Sequence, residues 1–87
     1  MLDATMGEIF YNGERLGIID YEDLVLKMRD FEALERLLSL NPEEKIELKT
    51  PGIRRTICSL TYSEFRKDIL NNEKHYTICL ESRSKIR

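Results

Sequence analysis

The stretch DYEDLVLKMRDFEALERLLSL, residues 20–40, admits two readings, and the choice between them decides the fold. Read as one helix, Tyr21, Leu24, Val25, Met28 and Phe31 make an apolar stripe behind Asp20 and Asp23. Continued at about 100° per residue, that stripe is crossed by Glu32, Glu35 and Arg36. A break at Arg29-Asp30 removes the conflict. Leu24, Leu26 and Met28 then alternate against Val25 and Lys27 as a strand requires. Asp30 becomes the cap of a short helix whose Phe31, Leu34, Leu37 and Leu38 face the core. Strand followed by helix is the reading adopted.

Working outward, Asn41-Pro42 closes the helix, and Lys45–Lys49 alternates with Ile46 and Leu48 inward. Pro51-Gly52 forms a turn, from which IRRTICSL, residues 53–60, returns as a strand. Thr61 and Glu64 in TYSE have the spacing of a capping box. The helix they open carries Phe65, Ile69 and Leu70 and ends at Asn71-Asn72. A last strand follows, with Tyr76, Ile78 and Leu80 on one face.

Sliding the second half back by 32 residues sets Leu26 on Cys58, Met28 on Leu60, Ile46 on Ile78 and Leu48 on Leu80. Leu37 and Leu38 fall on Ile69 and Leu70 in the same shift. Each half reads strand–helix–strand. Together they predict an α+β domain with a ferredoxin-like βαββαβ core over residues 23–81, an antiparallel sheet with both helices on one face.

A β-hairpin over residues 7–19 precedes that core. Asn12-Gly13 suits a two-residue type I′ turn, in which both central residues need positive φ. Regular pairing sets Tyr11 opposite Glu14 and Ile9 opposite Leu16. Ile9, Leu16 and Ile18 then share a face with Tyr11, and Phe10, Arg15 and Ile19 share the other. The expected core is Leu24, Leu26, Met28, Phe31, Leu34, Leu37, Leu38, Ile46, Leu48, Cys58, Leu60, Phe65, Ile69, Tyr76, Ile78 and Leu80. Residues 1–82 are expected to form a single domain, with a basic tail over 83–87.

Composition excludes several function classes. At 41% hydrophobic and 34% charged residues, the chain reads as globular. Two cysteines in no ligand-like spacing read as reduced thiols of a cytoplasmic protein. The N-terminus lacks the basic and apolar regions of a signal peptide, and no apolar run reaches membrane-spanning length. Residues 1–48 carry 12 acidic and 5 basic side chains, net −7, and residues 49–87 carry 4 and 9, net +5. That asymmetry points to charged partners, or to two halves that neutralise each other in space.

Catalytic chemistry finds little support. His75, the single histidine, stands four residues from Cys79 on one strand, about 13 Å away at strand rise, so they form no dyad. No metal-ligand spacing or glycine-rich phosphate loop occurs, so no cofactor, metal or small-molecule substrate is expected. The sheet face left open by the helices is expected to carry Val25, Lys27, Lys45, Glu47, Lys49, Ile53, Arg55, Ile57, Thr77 and Cys79. This is an apolar and basic mixture that something should cover. The expected function is therefore non-enzymatic protein binding or homodimerisation through Val25, Lys27, Arg55, Ile57 and Cys79. A regulator of this size encoded by a phage or mobile element fits the same features, and nothing in the residues selects it. The alternative is a nucleic-acid-binding surface using Lys49, Arg54 and Arg55. A sequence pI near 5.4 and the lack of aromatics on the returning strand weigh against it.

Overall fold

The computed structural model describes residues 6–69 and 75–81. Eight elements follow in chain order: β1 (Met6–Tyr11), β2 (Glu14–Asp20), β3 (Val25–Met28), α1 (Phe31–Leu38), β4 (Lys45–Lys49), β5 (Thr56–Thr61), α2 (Tyr62–Ile69) and β6 (Thr77–Leu80). A hairpin followed by βαββαβ is thus the order present. The contested stretch is strand then helix. The Asp20 carboxylate accepts from the Glu22 and Asp23 amides, Leu24 turns at φ 57°, and β3 begins only at Val25. Asp30 caps α1, its Oδ1 accepting from the Ala33 amide at 2.9 Å. At α2 the capping box is complete. The Glu64 amide donates to Thr61 Oγ1 at 3.1 Å and the Thr61 amide to Glu64 Oε1 at 2.9 Å.

The arrangement in space differs from the ferredoxin-like expectation. All six strands join one mixed sheet in the order β5-β4-β1-β2-β3-β6. The N-terminal hairpin is its centre, separating β3 from β4, and β6 lies parallel to β3. The 32-residue echo therefore preserves element order and inward positions but not placement. The first unit runs from β3 to an antiparallel β4 across two strands, the second from β5 to β6 across the whole sheet.

A bulge corrects the hairpin faces. Tyr11 pairs with Glu14 and Phe10 with Arg15, but Ile9 pairs with Gly17, leaving Leu16 as an extra residue. From there outward the register is displaced by one. Ile19, not Ile18, joins Ile9 and Leu16 in the core, and Ile18 lies beside Glu8 on the opposite face. Asn12 at φ 54° and Gly13 at φ 80° make the expected turn.

One core fills the space between sheet and helices. Ile9, Leu16, Ile19, Leu26, Met28, Ile46 and Leu48 meet Ala33 and Leu37 of α1, and Tyr62 and Phe65 of α2. Helix α1 lies over β2 and β3, and α2 over β4 and β5. Full burial of each large apolar side chain contributes about 1.5–3 kcal/mol. Several expected core residues are not inside. Phe31 and Leu38 are 59% and 57% exposed, because α1 rests on the sheet by the narrow strip of Ala33 and Leu37. Cys58 and Ile78 have the inward register, but they stand on the two edge strands, beyond the cover of two eight-residue helices. Leu24 is half-buried in the turn, as are Leu34, Leu60, Tyr76 and Leu80 at the margin of the core. The expected contributions of the Ile69 side chain, of Leu70 and of the 83–87 tail lie outside the described residues.

Candidate functional site

The helix-free face is organised by one buried carboxylate. Glu8 of β1 shares this face with Phe10, with Arg15 and Ile18 of β2, and with Glu47 and Lys49 of β4. Its side chain is 7% exposed and lies between two guanidinium groups. Arg15 Nε donates to Oε2 at 2.8 Å, and Arg54 Nε donates to Oε1 at 2.9 Å. Arg15 then reaches across β3 to Glu81, just beyond β6, with a two-pronged contact of 3.0 and 2.8 Å. The chain Arg54–Glu8–Arg15–Glu81 thus runs from the β4–β5 turn to the end of the opposite edge strand. Phe10 is buried beneath two cations, Lys49 Nζ at 4.8 Å from the ring centre and the Arg54 guanidinium at 5.6 Å.

Titration follows this geometry. The Arg15 guanidinium, held foremost by Glu81 and then by Glu8, becomes still harder to deprotonate. The same Arg15 contact draws the Glu81 carboxyl below its usual range. The Ala33 amide, and then Arg29, do likewise for Asp30 at the α1 cap. A carboxyl whose folded-state pKa is depressed contributes stability that is fully present above its ordinary value. That contribution is lost as pH falls through the depressed one. Urea midpoints are therefore expected to be flat from pH 7 to about pH 5 and to decline below about pH 4. Combining Glu81→Gln with Asp30→Asn should flatten the decline; an equally steep decline in that variant would refute these two groups as its source.

The sequence-derived candidates divide into three. Val25, Lys27 and Cys79 do gather, on β3 and β6, beside a shallow concavity of about 670 Å³ lined by Met6, Ile18, Lys27, Cys79, Leu80 and Glu81. Arg55 and Ile57 lie at the other end of the sheet, with β4, β1 and β2 between, so the five form no single patch. Lys49 and Arg54 converge on Phe10, but both are engaged there: Lys49 approaches Glu47 at 3.6 Å, and Arg54 holds Glu8. Arg54 and Arg55 also do not belong to the returning strand. Gly52 at φ 85° and Arg54 at φ 63° keep residues 50–55 in a closed turn, tied by the Arg54 amide to the Thr50 carbonyl at 2.7 Å. Strand β5 starts at Thr56.

Sequence reasoning missed the role of Glu8. Its signal was present: Glu8 has the parity of Phe10, which the Asn12-Gly13 turn already sets opposite Arg15. His75 is exposed before β6. Among the described residues no three His, Cys, Asp or Glu side chains converge as a metal site would require.

Among the described residues, the two sheet edges have what the open face lacks, namely strand with no neighbour on one side. In β5 the sequence TICSLT has no charge and no proline, and Thr56 through Ser59 are all exposed, Ile57 at 50%. Edge strand β6, TICL, is likewise uncharged, with Thr77 and Ile78 exposed. Both edges begin with Thr-Ile-Cys, and both cysteines are free thiols. No helix among the described residues is long and apolar enough to cross a membrane. No protein-family model matches this chain, and no curated protein or solved structure matches it.

Proposed function

We propose that this chain is a non-enzymatic protein-interaction module that binds through the edge of its sheet. One observation carries the reading: β5 is a six-residue edge strand with no charged or proline residue and four consecutive exposed positions. Edge strands present unpaired backbone donors and acceptors, and proteins that need to remain solitary blunt them with lysine, proline or a covering loop. A strand of a partner laid along β5 gains main-chain hydrogen bonds, with Ile57 and Cys58 as side-chain contacts. The open face supports the same reading by contrast, since Arg15, Arg54 and Lys49 already occupy its centre. That occupation also lowers the case for nucleic acid, because two of the three cations in that reading have partners within the chain.

A lysine placed on the exposed edge is the direct test. Ser59→Lys leaves every core residue in place and puts a charge where an incoming strand must lie. Immobilised wild-type chain is expected to retain a set of proteins from a cell extract. Ser59→Lys, at an unchanged melting temperature, is expected to lose at least one of them. An identical retained set would overturn binding through β5.

A further inference from the structure

We infer that the partner of the β5 edge is a second copy of this chain, joined head to tail so that β5 of one molecule lies beside β6 of the next. This rests on the edge-binding reading above and names its occupant. The first support is strand direction. Strand β6 runs parallel to β3, and each step from β3 through β2, β1 and β4 to β5 is antiparallel, so β5 and β6 point the same way. A copy displaced sideways along the sheet therefore brings its β6 alongside β5 in parallel, the relation β6 already has with β3.

The second support is charge. At the ends where β5 and β6 begin, the two edges are opposite in sign among the described residues. The turn before β5 carries Arg54 and Arg55. The turn before β3 carries Glu22 and Asp23, both exposed, and it adjoins the start of β6 through the Thr77 amide, which donates to the Leu24 carbonyl at 2.9 Å. Sideways stacking brings Arg55 of one copy toward Glu22 and Asp23 of the next. The two-fold pairings lack that match. Strand β5 against itself runs antiparallel and sends Arg55 toward the Thr61 end of the second copy, where Lys45 of β4 and Glu64 of α2 both stand, so the charges there are mixed. Strand β6 against itself sends the acidic turn toward the Glu81 end, where Glu81 is already paired with Arg15.

The third support is the lack of any charge along either strand. A head-to-tail contact of this kind does not close on itself, so it grows with concentration instead of stopping at a dimer. Strand β6 has only four residues, so each junction is short and the association is weak and rapidly exchanging.

Sedimentation of the purified full chain tests this, with edge-blocked variants Ser59→Lys on β5 and Thr77→Lys on β6. Wild type is expected to rise in average mass without a plateau as concentration increases, and less steeply at high salt. Each variant alone should remain monomeric, and an equimolar mixture should give a dimer, because each contributes its one open edge. A dimer formed by either variant alone would overturn the head-to-tail assignment in favour of a two-fold contact. Monomeric wild type at every concentration would overturn self-association, while the extract experiment decides separately whether β5 binds another protein. Should a lysine variant fail to fold, Arg55→Glu should block growth and Asp23→Arg added to it should restore growth. Failure of that restoration at unchanged melting temperature would also overturn the proposal.

Discussion

Gly17→Ala is expected to lower folding stability by about 3 kcal/mol or more, the upper range for forcing atoms into a packed interior. A Cβ at this position would stand 2.3 Å from the Lys27 carbonyl oxygen and 2.8 Å from the Met28 Cα. Both are backbone atoms of the neighbouring strand, so no side-chain rotation relieves the contact. Either β2 and β3 part or the bulge at Leu16-Gly17 is lost, and the second outcome would carry Ile19 out of the core. A domain of this size has a total stability of about 5 kcal/mol, so the variant should keep about 2 kcal/mol or less and unfold at a much lower urea concentration. Gly7→Ala is the internal control. Its added Cβ meets Leu48 Cβ at 3.7 Å, an ordinary contact, and the cost should stay under about 1 kcal/mol. Urea unfolding followed by circular dichroism separates the two. Equal midpoints for Gly17→Ala and Gly7→Ala would show that β2 and β3 do not approach as described.

Glu8→Lys is expected to be comparably damaging, about 4 kcal/mol, by the scale for stranding charge in a buried ion pair. The carboxylate is 7% exposed and is the common acceptor of Arg15 and Arg54. Lysine would set a third cation between them in place of their shared acceptor. Arg54→Ala should cost far less, about 1 kcal/mol or below, because Arg54 is 53% exposed and Glu8 would keep Arg15. The ratio of these effects is the informative quantity. If Arg54→Ala matched Glu8→Lys in loss of stability, the buried carboxylate would not be the hub of the open face. Glu8→Leu, which fills the site with apolar volume, would still leave Arg15 paired with Glu81 and should fall between the two.

Much of the local structure was legible in the residues. Asp30 at the α1 cap, the Thr61–Glu64 capping box, the Asn12-Gly13 hairpin and the Pro51-Gly52 turn each depend on groups within a few positions of one another. Period-two alternation gave the inward positions Leu26, Met28, Ile46 and Leu48. The candidate site was less legible. Reading Val25, Lys27, Arg55, Ile57 and Cys79 as one patch presumed that their strands were close together, and the hairpin separates them. Reading Lys49, Arg54 and Arg55 as free cations presumed no carboxylate near them, whereas Glu8, 46 residues from Arg54 in the chain, lies between Arg54 and Arg15.

The sequence by itself determined the order hairpin, strand, helix, strand, strand, helix, strand, because caps, turns and alternation are written in short-range backbone bonding. Only the tertiary structure decided that the hairpin stands at the centre of the sheet, that Leu16 bulges so that Ile19 turns inward, and that Cys58 and Ile78 end on open edges. Strand neighbours are chosen by the joint burial of apolar faces across the whole chain. A residue's inward register becomes burial only where a helix lies above it.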